Sequence, residues 1–310
     1  NILIIKHGSL GDLIQANGAI KDIKNFYKNR KVFLLTSQPY AIFMSECPYI
    51  DGVIIDKRLP RWNLFYLSAL KKNLSRYDIS KVYDLQNSNR TRFYEQFIIN
   101  KKGVTWSSTK TTLEPGQKKS DFDKEPVLER MELQLKKSGI KTEFTRNINI
   151  DWAIKDVKRL IKQYANSEYI LLFPFCSKKH QNKKWPYFKD LVIKLKQDYK
   201  NKYPILIIPG PNEIKEANTF NAKVVTNNEN PVDLKTLISL INNAKFILAN
   251  DTGPAHIASH LDKKGLVLFG SHTSAKKVSI ENYNFKALNV KDLKDLDVDT
   301  VVAEIKSKLN

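Results

Sequence analysis

Cysteine and long apolar runs are both scarce in this chain. The two cysteines, Cys47 and Cys176, lie far apart and outside any Cys-x-x-Cys spacing. This argues against a disulfide framework or a structural zinc site and fits a reducing compartment. No apolar stretch approaches the ~20 residues of a membrane span, and the run Ile2–Ile5 is too short for a signal peptide. We therefore expect a cytoplasmic protein.

Glycine and proline are also few, at 11 and 12 of 310 residues, while 42% of residues are hydrophobic. This composition excludes a disordered chain and leaves enough apolar material for real cores. No repeat of about 20–50 residues is visible, which argues against a solenoid. The length suits two domains of about 150 residues each. We predict one domain over residues 1–150 and another over 151–310. The last helix of the chain is a candidate to pack back on the first domain.

Acidic residues are few relative to basic ones: 52 Lys and Arg against 32 Asp and Glu, a net charge of +20. A positive field of this size favours an anionic partner. The three candidate classes are a nucleic acid, an anionic membrane surface and a phosphorylated substrate. The excess is spread along the chain, and no block resembles a basic tail or an RNA-binding signature. We therefore expect no nucleic-acid partner.

The hydrophobic pattern alternates between short apolar strands and amphipathic helices almost throughout. Such alternation predicts parallel sheets covered by helices on both faces, hence two doubly wound α/β domains. In these sheets, ligands bind at the carboxyl ends of the strands, so we expect a cleft between the domains to collect the loops there. Residues 107–124 are predicted to form a surface loop. The predicted strands cover residues 2–6, 32–36, 52–56, 80–85, a short segment near 148, 169–173, 204–208, 224–225, 246–249 and 265–269.

The clearest candidate site is Asn-Asp-Thr-Gly-Pro-Ala-His at residues 250–256. An apolar strand leads into it, and a proline at the helix start opens the helix that follows. Unpaired N–H groups and the helix dipole at such a corner suit a phosphate, which His256 in the first turn could reach. The alternative is an ordinary helix cap with a surface histidine.

A second candidate is Gly-Ser-Leu-Gly-Asp at residues 8–12, directly after the first strand. Its glycines allow the backbone to approach a ligand closely. Asp12 is either a general base for a hydroxyl nucleophile or a helix-capping carboxylate. The spacing is not Gly-x-Gly-x-x-Gly, so dinucleotide binding is weakly supported.

Three further loops follow predicted strands. Residues 83–88, which include Gln86, either hold sugar hydroxyls or form a plain turn. Residues 173–186 offer Ser177 and a group of lysines that includes Lys183, which suits a diphosphate or forms a solvated loop. Glu213 either accepts hydrogen bonds from ribose hydroxyls or caps a helix. Asp-x-Asp patterns at 121–123 and 295–299 lie in loop or helix-start contexts, so we interpret them as solvated carboxylates and predict no metal site.

These motifs, in this order, resemble glycosyltransferase family 9, the ADP-heptose:lipopolysaccharide heptosyltransferases. The resemblance rests on Gly-Ser-Leu-Gly-Asp, an early Asp-Leu-Gln, Lys-Lys-Trp-Pro past mid-chain and Asn-Asp-Thr-Gly-Pro-Ala-His, and it spans about residues 2–272. It implies a GT-B architecture of two Rossmann-like domains with an interdomain cleft. It also implies inversion at the sugar carbon, no metal or other cofactor, and a nucleotide-sugar donor such as ADP-heptose.

The resemblance also implies roles for individual residues. Asp12 corresponds to the proposed catalytic base, and Ser9, Gly11 and Gln86 are assigned to the acceptor. The donor would contact Ser177, Lys183, Glu213, Asp251, Thr252, Gly253 and His256. The acceptor would be a hydroxyl on an anionic glycolipid of the lipopolysaccharide or lipooligosaccharide core. The charge would suit peripheral contact with the inner face of the anionic cytoplasmic membrane.

The chain departs from the family pattern at three places. Lys6 and His7 stand where the family often has Arg, the loop from Ser177 to Lys183 is lengthened, and residues 270–273 are Gly-Ser-His-Thr instead of the more usual Gly-Pro-Thr. Two alternatives therefore stay open. One is a GT-B transferase or epimerase that uses a UDP-sugar. The other is a nucleotide- or RNA-binding module without chemistry.

Overall fold

The structure of the protein is a computed structural model that describes residues 1–166, 168–200 and 202–309. The chain divides into two compact units, Asn1–Trp152 and Ala153–Asn310. Within the described residues, no helix has the length and apolar character needed to cross a bilayer. Each unit contains one parallel sheet with helices on it.

The first unit has a five-stranded sheet whose central strand is the first in the chain. Ile2–Ile5 is buried at every position, as expected of a strand with neighbours on both sides and helices on both faces. The order is β3-β2-β1-β4-β5, and every pair is parallel. The carboxyl ends of all five strands therefore meet at one edge. The strands are β1 (Ile2–Ile5), β2 (Val32–Ser37), β3 (Gly52–Asp56), β4 (Lys81–Asp84) and β5 (Thr105–Ser107).

The first helix is held against the unit by both packing and hydrogen bonds. Gly18 lies so close to the backbone of Phe144 that a Cβ there would be 2.0 Å from the Phe144 carbonyl oxygen. The buried carboxylate of Asp22 accepts hydrogen bonds from the backbone N–H groups of residues 143–145. This fixes the helix whose first turn carries Asp12. The helices are α1 (Leu10–Phe26), α2 (Gln38–Ser45), α3 (Leu64–Leu74), α4 (Asn89–Phe93), α5 (Thr109–Thr112), α6 (Lys119–Phe122) and α7 (Val127–Lys137), and a π-helical turn, Tyr94–Ile98, follows α4.

The second unit has a six-stranded parallel sheet in the order β11-β10-β9-β6-β7-β8. Its three central strands are buried at every position. The chain order reverses between β6 and β9, which is the topological switch point where ligands bind in such sheets. The strands are β6 (Ile170–Phe173), β7 (Ile205–Ile207), β8 (Lys223–Val224), β9 (Phe246–Asn250), β10 (Gly265–Phe269) and β11 (Phe285–Asn289).

The final helix packs within the second unit, on the same core as the sheet. Val301, Val302, Ile305 and Leu309 join Trp185 and its neighbours in one buried cluster. The indole N–H of Trp185 donates to the Leu296 carbonyl, 2.8 Å away, which holds the segment before this helix. The helices are α8 (Lys158–Tyr164), α9 (Phe188–Asp198), α10 (Ile214–Ala217), α11 (Leu234–Asn243), α12 (Gly253–His260) and α13 (Val298–Leu309).

The predicted fold class, two Rossmann-like doubly wound parallel sheets, is confirmed. Three local predictions were wrong. The segment near Ile148 is not a strand, and the predicted loop over residues 107–124 begins at the end of β5 and contains α5 and α6. Strand β11 was missed as well. Edge strands such as β5 and β11 are short or half exposed, so their apolar pattern is too weak to recognise.

Candidate functional site

In the first unit, the turn between β1 and α1 presents Asp12. Gly8 has φ +115° and lies against the Tyr40 ring, where a Cβ would be 2.4 Å from Cε2, so only glycine fits. Ser9 then caps α1, and its N–H and hydroxyl donate to Oδ2 of Asp12 at 2.7 and 3.0 Å. Asp12 is thus a helix-capping carboxylate, which was one of the two interpretations of this residue from the sequence. It also keeps 40% of its side chain exposed, so a substrate could reach it.

A buried lysine lies beside this carboxylate. The Nζ of Lys6 is 3.7 Å from Oδ1 of Asp12 and donates to the Leu85 carbonyl at 3.1 Å. Burial lowers the pKa of Lys6 below its usual value, while the charges of Asp12 and Asp84 act in the opposite direction. Lys6 therefore links the ends of β1 and β4 under the candidate base.

The loop after β4 contributes Gln86 to the same edge. The Gln86 side-chain oxygen accepts a hydrogen bond from the His7 N–H at 2.9 Å, which ties this loop to the turn that carries Ser9 and leads into Gly11 on the first turn of α1. Asp84 accepts from the N–H groups of Gln86 and Asn87, and burial raises its pKa. The three predicted acceptor residues thus share one strand-end edge.

A cavity of about 370 Å³ lies farther along this edge, beyond β4 and β5. None of the three predicted acceptor residues is among those that line it. The residues that line it are nearly all polar and include two carboxylates, Asp84 and Glu95, as well as three cations, so it suits a hydroxyl-rich group. The side chains around it include Asp84, Ser88, Arg92, Ser108, Lys110 and Lys119.

A buried polar network beneath this edge was not predicted from the sequence. Oδ2 of Asp56, at the end of β3, lies 2.8 Å from Nε2 of His7 and accepts from the Tyr94 hydroxyl at 2.7 Å. Its other oxygen accepts from the Tyr66 hydroxyl. Burial alone would raise the pKa of Asp56, but these donors hold it well below its usual value. The carboxylate stays charged and fixes His7, the residue before the Gly8 turn.

In the second unit, Asn250 at the end of β9 joins two loops. Its amide oxygen accepts from the Trp185 N–H at 3.0 Å, and its amide N–H donates to the Pro174 carbonyl at 2.9 Å. The loop after β6, which carries Ser177 and Lys183, is therefore held against the end of β9. The Lys-Lys-Trp-Pro and Asn-Asp-Thr-Gly motifs are therefore in direct contact in the fold.

Asp251 is the centre of a cluster of nitrogen groups. Its Oδ2 lies 2.5 Å from Nζ of Lys183 and 3.1 Å from Nε2 of His272, and its Oδ1 lies 3.8 Å from Nε2 of His256. Burial alone would raise the pKa of Asp251, but Lys183 and the histidines hold it below its usual value. Lys183 in the loop after β6, His256 in the first turn of α12 and His272 in the loop after β10 converge on one carboxylate.

His272 was noted from the sequence only as a departure from the family pattern. It follows β10, so the strand-end rule that selected the other residues would also have selected it. Its side chain is 6% exposed, and Nδ1 has no hydrogen-bond partner among the described residues. Burial lowers its pKa, while Asp251 acts in the opposite direction. A neutral imidazole with one free ring nitrogen thus lies in the cluster.

Helix α12 starts beside this cluster. Thr252 is its N-cap residue and Gly253 is its first residue, so Pro254 falls one position later than predicted. The first backbone N–H groups of such a helix lack partners within the helix, which gives this corner a positive potential. His260, on the last turn, has a buried Nε2, and burial lowers its pKa to about 3.

Glu213 and Ser177 follow β7 and β6, so they lie at the same strand-end edge as the cluster. Glu213, after β7, accepts a hydrogen bond from the Gly210 N–H at 2.7 Å, and burial raises its pKa. Burial raises the pKa of the Cys176 thiol, and the charges of Lys183 and Glu213 act on it in opposite directions. Ser177 is exposed at the start of a 3₁₀ turn, Lys178–Lys183. The residues of this unit therefore follow four consecutive strands, β10, β9, β6 and β7.

Aspartates of both Asp-x-Asp patterns form ion pairs or hydrogen bonds within their own segments. Asp121 and Asp123 pair with lysines and an arginine of their own segment, and Asp297 caps α13. In the described part of the chain, no group of three or more His, Cys, Asp or Glu side chains is arranged to hold a metal ion.

Known proteins share this sequence and fold. The family model for glycosyltransferase family 9 (heptosyltransferase) matches residues 67–294. Lipooligosaccharide heptosyltransferase 2 of Campylobacter jejuni is 23% identical, over 96% of this chain and 95% of its own. A glycosyltransferase family 9 structure from Veillonella parvula aligns with TM-score 0.77 and 14% identity, over 99% of this chain and 96% of its own. E. coli heptosyltransferase WaaC with ADP aligns with TM-score 0.73 and 19% identity, over 99% of both chains.

The family model covers well over half of the chain and includes the loops that carry Gln86, Lys183, Glu213 and the Asp251 cluster. The two parallel sheets match the GT-B fold of the solved heptosyltransferases. The chain is a member of glycosyltransferase family 9, the heptosyltransferases.

Proposed function

We propose that this protein transfers heptose from ADP-heptose, with inversion and without a metal, to a hydroxyl of a lipopolysaccharide or lipooligosaccharide core. The observation that carries this proposal is the cluster of Lys183, His256 and His272 around Asp251, beside the start of α12. A lysine ammonium, two imidazole side chains and helix N–H groups in one place suit the diphosphate of a nucleotide sugar. The Campylobacter jejuni relative and E. coli WaaC are named heptosyltransferases, and the WaaC structure holds ADP.

In the proposed transfer, every proton and bond can be assigned to the two substrates and to residues of the chain. The acceptor hydroxyl gives its proton to Asp12, and its oxygen attacks the anomeric carbon of heptose. The bond between that carbon and the diphosphate oxygen breaks, and ADP leaves with the electron pair. Lys183, His256 and the amino end of α12 would offset the charge that develops on the diphosphate. One displacement of this kind inverts the anomeric configuration.

Asp251 acts in this scheme as a positioning residue. It is 4% exposed and already pairs with Lys183 and His272, so it is poorly placed to take a proton from an acceptor. It would orient both side chains toward the diphosphate. Glu213, in the same neighbourhood, would accept hydrogen bonds from ribose, and Ser177, Thr252 and Gly253 would line the donor.

The acceptor would bind in the first unit, where Ser9, Gly11 and Gln86 adjoin Asp12. The cavity of about 370 Å³ along the same edge is large enough for a sugar ring, and cations, carboxylates and neutral polar side chains line it. The enzyme would work in the cytoplasm, at the inner face of the membrane that holds the glycolipid.

A product assay tests the proposal. The protein is incubated with ADP-heptose and a heptose-free core glycolipid, with and without EDTA, and the anomeric configuration of the product is determined. Inverted product in both conditions supports the proposal, whereas retained configuration or dependence on a metal contradicts it. A thermal-shift series with ADP-, UDP- and GDP-sugars tests the donor, because the true ligand raises the melting temperature most.

A further inference from the structure

Three large apolar side chains project from the first unit without cover. Trp62, Leu64 and Phe65 are 80%, 72% and 93% exposed. They lie within four residues of each other, between the end of β3 and the first turn of α3. Single exposed apolar residues need no explanation, but three together usually mark a surface that another molecule covers. We call these three residues the apolar tip.

The chain around the apolar tip is cationic. Residues 57–77 contain six lysines or arginines and no aspartate or glutamate. Lys57, Arg58 and Arg61 directly precede the tip and are exposed. An apolar tip with a cationic margin and no anions is complementary to a surface that is apolar inside and negative at its boundary.

The fold holds the tip in its exposed position. On α3, Tyr66, Leu67, Leu70 and Leu74 pack in the core, so the helix cannot rotate to bury Leu64 and Phe65. The guanidinium of Arg90 donates to the carbonyls of Arg58 and Leu59 at 3.3 and 3.0 Å, and it also donates to the Tyr94 hydroxyl. The loop is therefore fastened to the buried Asp56 network.

The tip also lies at the edge where the acceptor chemistry is proposed. It follows β3, and β1 and β3 are parallel to β2 in the same sheet, so their carboxyl ends share one edge. Through Tyr94 and Asp56, the loop connects to His7 and the turn that carries Asp12. A surface that approached this edge would approach the candidate base.

We propose that the apolar tip and the cations Lys57, Arg58 and Arg61 are the surface by which this enzyme docks on an anionic lipid bilayer. The tip enters the interfacial layer, where Trp and Phe side chains are favoured, and the three cations contact lipid phosphates. This docking brings the strand-end edge of the first unit to the depth at which a glycolipid presents its sugars. The inference extends the proposed function by naming the surface that meets the acceptor's membrane.

Vesicle sedimentation tests the docking surface without any turnover. The probes are phosphatidylcholine vesicles with and without phosphatidylglycerol. Wild-type protein is expected to sediment with the anionic vesicles, and the triple change Trp62→Ser, Leu64→Ser, Phe65→Ser is expected to lower the partition coefficient roughly tenfold or more. The triple change Lys57→Gln, Arg58→Gln, Arg61→Gln is expected to have an effect of about the same size, only on anionic vesicles.

Matched changes elsewhere serve as controls. Tyr283 and Ile193 are also exposed apolar residues, and Lys162, Lys277 and Lys286 are exposed lysines, all in the second unit. Changing the two apolar residues to serine, or the three lysines to glutamine, is expected to leave sedimentation with the vesicles unchanged. Equal losses in the control variants would show that general hydrophobicity or net charge is responsible, and this would overturn the proposal.

A second copy of the chain is the competing occupant. Sedimentation velocity separates the two: a dimer that the apolar-tip variant converts to a monomer, with vesicle binding unchanged, would contradict bilayer docking. A monomeric wild type that binds vesicles through the tip supports it.

Turnover on two acceptors separates failure of this inference from failure of the proposed function. The apolar-tip variant is expected to lose activity on glycolipid in vesicles and to keep it on the same acceptor after its acyl chains are removed. Equal loss on both acceptors contradicts the docking role. A wild-type protein that binds vesicles but transfers no heptose to either acceptor contradicts the proposed function alone.

Discussion

Asp12 and Asp251 occupy comparable places in two similar sheets but have opposite surroundings. Each follows a central parallel strand, and each lies at or just before the first turn of a helix. Asp12 is 40% exposed, with one lysine 3.7 Å away. Asp251 is 4% exposed, with a lysine and a histidine within 3.1 Å and a second histidine at 3.8 Å.

The difference indicates how one topology can supply two kinds of carboxylate. A buried carboxylate that is already paired with a lysine and two histidines positions those partners and has little capacity to accept a proton. An exposed carboxylate held by a helix cap keeps its orientation and remains accessible to a substrate hydroxyl. We expect the first unit to supply the base and the second unit to bind the donor.

The largest expected effect is at the exposed carboxylate. Asp12→Asn keeps the size of the side chain but removes the base, so kcat should fall by roughly 10²- to 10⁴-fold. Steady-state transfer kinetics measure this. As a control, Asp251→Asn should act mainly on KM for the donor. Comparable losses of kcat in the two variants would remove the distinction between the carboxylates.

The network beneath Asp12 should matter for stability. Asp56→Asn leaves His7, Tyr66 and Tyr94 with an uncharged partner, and we expect the free energy of unfolding to fall by about 3 kcal/mol. Because the folded-state pKa of Asp56 is depressed, its contribution should be present above about pH 4 and lost below it. Urea denaturation measures both effects. Asp121→Asn, which breaks an exposed pair, should cost less than about 1 kcal/mol.

On the donor side, Lys183→Ala should weaken donor binding. A charge-assisted hydrogen bond contributes about 1.5–3 kcal/mol, so KM for the nucleotide sugar should rise roughly tenfold to a hundredfold. Lys179 lies exposed on the same 3₁₀ turn, and Lys179→Ala should change KM less than about threefold. If the two variants behave alike, only the overall charge of the loop matters.

The last expected effect changes neither activity nor stability at neutral pH and concerns histidine titration in the second unit as the pH falls. Burial lowers the folded-state pKa of His260 to about 3, whereas an unfolded histidine titrates near 6.5. Its contribution to stability is therefore complete above about pH 6.5 and declines as the pH falls toward 3, by at most about 1.4 kcal/mol per pH unit. His260→Asn should reduce the slope of unfolding free energy against pH over this interval. An unchanged slope would show that His260 does not contribute.

The fold was predictable where strands are central and less so at the edges. Ile2–Ile5 and Phe246–Asn250 are buried on both faces, so their apolar runs stand out in the sequence. Strands β5 and β11 have only one neighbour, and their residues need not be apolar. The segment near Ile148 has an apolar residue but pairs with no strand of the described chain.

The candidate site was predictable to the extent that each residue follows its own strand. Asp12, Lys183 and residues 250–256 could be selected by that rule, but their mutual distances could not. The contact between Lys183 and Asp251 spans 68 positions, and that between Tyr94 and Asp56 spans 38. No local pattern specifies such pairs, so the Asp56 network was missed and His272 was noted without a role.

Titration calorimetry of ADP against the Asp12→Asn variant tests most directly whether donor binding and proton acceptance belong to different units. If the second unit binds the donor and Asp12 only accepts the proton, this variant should bind ADP with the wild-type dissociation constant while its kcat is lowered by roughly 10²- to 10⁴-fold. Loss of ADP affinity in the variant, or normal turnover without the carboxylate, would contradict the account.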